Sequence, residues 1–187
     1  YLSAIFNVYL HFPVYLSIPL ATICGAFLCT LLLMPCLPLR GVYFAIVTLM
    51  YPLLATRVIE ALDIFGGTNG ITGLDSLPNE YVEHYAIILV TLFFLYGMRR
   101  FVNQDIGLVI RGVKDNDQSV RASGISVTKM KAFAVFVAAF MGCFGGAYIS
   151  HMYMWAGLSL FALDFSIIPI ASVVIGGGGT LLGAVIG

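Results

Sequence analysis

Five long apolar stretches dominate this chain, over residues 13–34, 41–62, 85–98, 131–151 and 165–187. A helix needs roughly 20 mostly apolar residues to cross the hydrocarbon layer of a bilayer. Only helices and closed barrels satisfy their own backbone there. Barrel strands would show alternation over about ten residues, whereas these runs are unbroken. Composition agrees: 60% of the 187 residues are apolar and 10% are charged, against roughly 25% charged in a soluble domain. The expected fold is therefore all-α, a polytopic transmembrane helix bundle with about five spans, forming a single domain over residues 1–187. Residues 1–12 read as the end of an earlier span or as an interfacial segment. The chain opens on Tyr1 without a methionine and closes on Gly187 inside an apolar run, so a fragment of a longer membrane protein is expected.

Charge placement orients the bundle, because basic loops are retained on the cytoplasmic side. Seven of the nine basic residues fall between Arg99 and Lys131, namely Arg99, Arg100, Arg111, Lys114, Arg121, Lys129 and Lys131. Residues 63–84 carry four acids (Asp63, Asp75, Glu80 and Glu83) and no basic residue. Loop 99–131 is thus expected in the cytoplasm and loop 63–84 outside, with Arg40 again on the inner side. The histidines, His11, His84 and His151, all come out near the external face, where amphipathic side chains anchor at the interface. A metal site among them is the rarer alternative, and none is expected. The cysteines (Cys24, Cys29, Cys36, Cys143) fit no metal or redox spacing and read as small buried hydrophobes. Zero net charge argues against a nucleic-acid partner and leaves membrane lipid as the surroundings.

The most informative polar stretch is 101–128. Asp115 is a suitable helix N-cap, and Gln118 sits where a capping box places its partner. Gly124 is placed as a left-handed stop. The spacing predicts a helix of about two turns over 115–124. So short a helix is unstable alone in water and needs a surface to rest on. It is either an amphipathic connector or a coupling helix that docks on a cytoplasmic ATPase.

Within this loop the run Arg111-Gly-Val-Lys-Asp-Asn-Asp-Gln-Ser-Val-Arg-Ala-Ser-Gly-Ile-Ser-Val-Thr-Lys-Met-Lys-Ala-Phe-Ala resembles the loop of LivM-type branched-chain amino-acid permeases. Leu39-Arg-Gly-Val-Tyr-Phe-Ala-Ile-Val-Thr-Leu49, then Gly66-Gly-Thr-Asn-Gly-Ile-Thr-Gly73, and finally Val174-Ile-Gly-Gly-Gly-Gly-Thr-Leu-Leu-Gly-Ala184 match the same family in the same order. The resemblance covers about residues 39–187. It departs at Ser119-Val120-Arg121, where relatives often carry an acid and alanines. It implies a permease subunit of an ABC importer in the inner membrane, without catalytic residues or cofactor of its own. The implied partners are cytoplasmic ATP-binding subunits, a second permease subunit and a periplasmic substrate-binding protein. The residues implied in coupling are Asp115, Asn116, Gln118, Ala122, Gly124 and Ile125. Urea and short-amide permeases share these motifs, so the substrate class stays open between them and branched-chain amino acids.

Within the membrane, Pro52 leaves the Thr48 carbonyl without its usual donor. Either the Thr48 hydroxyl and a neighbouring helix repair the kink, or Thr48 and Tyr43 line a translocation path. Arg57 and Glu60 lie three apart and can pair on one face. The glycine run 176–179, including Gly176 and Gly177, costs about 1 kcal/mol per residue in a helix. Either neighbouring backbones approach closely there, or the last span breaks and lines a cavity. Small residues four apart in the fourth span (Ala138, Gly142, Gly146) and the fifth (Gly179, Gly183, Gly187) favour close helix packing. Thr68 and Asn69, in the glycine-rich external loop, either present backbone to a carboxylate or form a plain turn. A self-contained channel or secondary carrier is the rival class. Such carriers keep an ionisable relay at mid-membrane, and this chain has none there. No intramembrane enzyme motif appears.

The orientation is open to direct labelling. In a cysteine-free background, Thr68→Cys is expected to react with a membrane-impermeant maleimide added to intact cells. Ser119→Cys should react only after the membrane is opened, and the reverse pattern would overturn the assignment.

Overall fold

The computed structural model describes residues 1–39, 41–76, 79–177, 183 and 185. Eight helices follow in order among them. They are α1 (Leu2–Val8), α2 (Val14–Leu33), α3 (Val42–Leu62), α4 (Glu80–Val102), α5 (Asp105–Asp115), α6 (Asp117–Ala122), α7 (Val127–Met152) and α8 (Leu163–Gly177). Two two-residue strands, β1 (Ile71–Thr72) and β2 (Trp155–Ala156), pair antiparallel with Ile71 opposite Ala156. Among the described residues five stretches are long and apolar enough to cross a membrane: Val14–Cys36, Val42–Leu62, Tyr81–Val102, Val127–Met152 and Leu158–Gly177. The chain is a polytopic helical bundle, as its hydropathy requires.

The loops sort to two ends of the bundle. At the acidic end, β1 and β2 join the α3–α4 and α7–α8 connections, and the Trp155 indole donates to the Asn69 carbonyl at 3.1 Å. At the basic end, the Lys131 ammonium donates to the Leu37 carbonyl at 3.5 Å. Thus residues that strict alternation of spans places on one side do meet there.

The centre of packing is α2 against α7, with α1 laid across both. Val14, Ile18, Ala21 and Ala147 form its buried cluster. A β-carbon added at Gly25 would stand 2.9 Å from Cys143 Sγ, so glycine sets how closely these helices approach. Of the small residues expected to do this elsewhere, Gly142 and Gly146 do not, since β-carbons there would meet nothing within 4 Å. The cysteines are free, and Cys24 is exposed rather than buried. Phe94 joins α4 to α7 by edge-on contacts with Phe140 (6.1 Å) and Phe144 (5.3 Å).

Residues 1–12 are not loosely attached, because α1 is pinned by a buried polar clasp. His151 is fully buried; its Nδ1 meets the Asp75 carbonyl at 2.8 Å and its Nε2 meets Ser3 Oγ at 2.8 Å. A carbonyl can only accept, so Nδ1 carries the proton and, in the neutral ring, Nε2 accepts from Ser3. Ser17 donates to the Ser3 carbonyl at 2.8 Å. Asn7 completes the tie, accepting from the Asp75 amide at 2.9 Å and donating to its carboxylate at 3.0 Å. His151 is therefore a structural clamp and not the interfacial anchor expected from its position. No group of three or more metal-ligating side chains occurs among the described residues.

Substituting His151→Leu removes the ring's hydrogen bonds to the Ser3 hydroxyl and the Asp75 carbonyl. It should lower unfolding stability of the purified full-length protein in detergent by about 3 kcal/mol. An unchanged unfolding transition would show that the clasp holds nothing.

Candidate functional site

The basic end carries the structured part of loop 99–131. Instead of one helix over 115–124 there are two, α5 and α6, separated by Asn116 alone. The apolar residues Ile106, Val109, Ile110 and Val113 recur at helical spacing and give α5 a side to press inward. Asp115 is consequently the last residue of α5 and not a cap. The cap is Asn116, whose Oδ1 accepts from the amides of Gln118 (3.0 Å) and Ser119 (3.3 Å). Two capping residues stand in tandem, and the one already consumed by the preceding helix loses.

The far end of α6 closes as its sequence predicts. Gly124 adopts φ +78°; its amide donates to the Arg121 carbonyl at 3.0 Å, and the Ile125 amide donates to the Val120 carbonyl at 3.4 Å. This pair of bonds is the Schellman arrangement, which favours a glycine at the left-handed position. Asp117, turned toward the cleft, and the more exposed Arg121 form an ion pair at 4.0 Å. On the inner side, Val120 packs over α5: a β-carbon at Gly112 would lie 3.3 Å from Val120 Cγ2. Alone, six residues would not hold a helix. Here two caps and one apolar contact hold it, leaving Gln118, Ser119, Arg121, Ala122, Ser123 and Gly124 exposed.

Beneath α5 and α6 lies a cleft of about 710 Å³. Leu37, Leu39 and Phe44 from the α2–α3 corner and Met130, Ala134 and Val135 from α7 give it an apolar floor. Asp115, Asn116, Asp117 and Gln118 form its polar lip. Of the residues expected to couple, Asp115, Asn116 and Gln118 lie on this lip, whereas Ala122, Gly124 and Ile125 follow along the outer edge of the loop.

The candidate pathway residues do not converge. Tyr43 is 74% exposed in the first turn of α3. Thr48 donates to the Ala45 carbonyl at 2.8 Å, so its hydroxyl is used within its own helix, and α3 continues through Pro52. Thr68 and Asn69 sit exposed in a short turn, Gly67–Asn69, at the acidic end. Gly176 and Gly177 end α8, with Gly177 at φ +105°. None of these six residues lines the cleft; Gly178, Gly179 and Gly187, like Arg40, lie outside the described residues. Arg57 and Glu60 do pair, at 3.0 Å.

A bundle of this kind, with five apolar spans among the described residues and an ordered polar platform at one end, defines a multi-pass membrane protein. The model of the family described as branched-chain amino acid transport system / permease component matches residues 1–187, and the chain belongs to that family. It is 26% identical, over 96% of its length, to the high-affinity branched-chain amino acid transport system permease protein LivM of Salmonella typhimurium. It is 25% identical over the same share to the Escherichia coli K12 protein of that description. It spans about half the length of these relatives (50% of each). No solved structure matches it.

Asn116→Ala removes the cap from α6 and should cost about 1 kcal/mol of local stability. Amide hydrogen exchange across 117–124 is expected to accelerate several-fold, while Asn116→Asp keeps near-original protection. Equal exchange in all three proteins would rule out the cap as the source of order.

Proposed function

We propose that this chain is the membrane-spanning permease part of an ATP-driven importer in the inner membrane, carrying branched-chain amino acids. The observation that carries the proposal is α6. It is a helix closed at both ends by its own residues, outside the spans, with its outer face uncovered. A connector has no need of a Schellman stop and a side-chain cap within eight residues. A docking knob does, because its shape must persist before its partner arrives.

On this reading the loop 99–131 faces the cytoplasm, and Asp115, Asn116, Gln118, Ala122, Gly124 and Ile125 meet an ATP-binding subunit. A second permease subunit completes the pathway, and an external binding protein delivers substrate at the acidic end, near Thr68 and Asn69. Tyr43, Thr48, Gly176 and Gly177 would then border the path only in the assembled complex. Family membership supports the transport role, and the names of the relatives support the amino-acid class. The excess of basic residues in 99–131 supports the orientation.

Gly124 gives the sharpest test. A β-carbon there would meet nothing within 4 Å, so a side chain fits sterically and its cost is confined to the left-handed backbone, about 1 kcal/mol. Gly124→Glu is therefore expected to leave the protein folded yet uncouple it. In the reconstituted complex with leucine-loaded binding protein, substrate-stimulated ATPase activity should fall at least tenfold, an effect of about 1.4 kcal/mol or more. Stimulation equal to that of the unaltered complex would refute the coupling role.

A further inference from the structure

The outward face of α4 ends in a feature that transport does not explain. Tyr85, Leu89, Leu92, Phe93 and Tyr96 lie on one side of the helix, and all are strongly exposed. They recur at three- and four-residue spacing and form one continuous stripe. At its foot is a small cavity of about 360 Å³ lined by Tyr96, Arg99, Arg100, Asn103 and Gln104. From Leu89 to Arg100 the helix rises about 16 Å, close to the depth of one leaflet of a hydrocarbon layer roughly 30 Å thick.

We infer that this stripe and shelf bind one anionic phospholipid, its acyl chain along Leu89–Phe93 and its phosphate on Arg99 and Arg100. Charge supports the choice of occupant. Among the described residues neither arginine is in an ion pair, unlike Arg57 with Glu60 and Arg121 with Asp117. The nearest acid in sequence, Asp105, begins α5 and pairs with neither. Loop 99–131 holds seven basic residues against three acids, Asp105, Asp115 and Asp117. Guanidinium forks match phosphate oxygens two at a time, and the amides of Asn103 and Gln104 add neutral donors. A tyrosine such as Tyr96 belongs at headgroup level. Shape supports it too. Gly107 is buried against the end of α4, where an added β-carbon would lie 2.6 Å from the Phe101 carbonyl. That close approach fixes the corner between α4 and α5, so the shelf stands formed before a lipid arrives. The inference needs α4 to cross the bilayer; it does not depend on which side its arginine end faces or on the coupling role of α6.

Native mass spectrometry of the purified full-length protein tests it, with phosphatidylglycerol, phosphatidylcholine or inorganic phosphate added. The unaltered protein should retain phosphatidylglycerol in preference to phosphatidylcholine, and inorganic phosphate should not displace it. Arg99→Gln/Arg100→Gln should weaken phosphatidylglycerol retention about thirtyfold, given the usual attraction per basic residue, while Arg121→Gln should leave it unchanged. Leu92→Gln tests the acyl track with both arginines in place and should also lower retention, which keeps the proposal testable if the double variant fails to accumulate. Equal retention by the variants and the unaltered protein would overturn it. So would displacement by free phosphate, or photocrosslinking from position 100 to another protein helix instead of to lipid.

Discussion

Inside a bilayer a backbone amide or carbonyl that loses its helical partner has no water to turn to, and the spans here stay helical almost throughout. Pro19, Pro52 and Pro169 each stand inside a helix without ending it. The hydroxyls near them turn back onto their own helices: Thr22 to Ile18, Thr48 to Ala45, Thr56 to Pro52 and Ser172 to Ile168. Polar groups so used are not offered across the bundle. Irregular backbone gathers instead at the two ends, where water or other loops can satisfy it, and those ends hold the structure's polar architecture.

The ends are joined by α7. Its 26 residues rise about 39 Å, from Ser126 beside the α5–α6 platform to His151 in the clasp. Along that length Gly25 lets α2 lie close, and Phe94 keys α4 onto Phe140 and Phe144. A fully buried histidine bonded to two other segments is a stiff end-point. By contrast, α3 and α8 touch mainly each other and the acidic-end turns. The bundle thus has a rigid pair, α2 and α7, and a loosely held remainder.

Much of this was legible in the chain, and the reason differs by element. Span number and the sorting of loops follow from hydropathy and charge, which act residue by residue. The stop at Gly124 was legible because one glycine carries it. The start of α6 was misplaced by one residue, since Asp115 and Asn116 are both good caps and only the extent of α5 decides between them. That extent was written in Ile106, Ile110 and Val113, masked by the polar residues around them. The clasp left no local trace: His151 meets partners 76 and 148 positions away, and serine, asparagine and histidine each look ordinary where they stand. The candidate pathway was not resolved for a related reason. Tyr43 and Thr48 lie on a helix that this chain packs only lightly, and few contacts within it bear on them.

The short links around α6 matter most for how force would travel. One residue, Asn116, separates α6 from α5, and residues 123–126 separate it from α7. With Val120 seated over Gly112 and the Schellman bonds holding Gly124 and Ile125, α6 has little room to shift alone. A load on its outer face therefore passes into α5 and the first turn of α7. At the other end of α7 the clasp resists tilting relative to α1 and α2, so those three helices would move together. Relative motion must then fall between that unit and the lightly packed α3 and α8. If, as proposed, a partner pushes on the α5–α6 platform, this division separates a part that transmits from a part that yields. In this bundle it follows from where the glycines, the two caps and one buried histidine were placed.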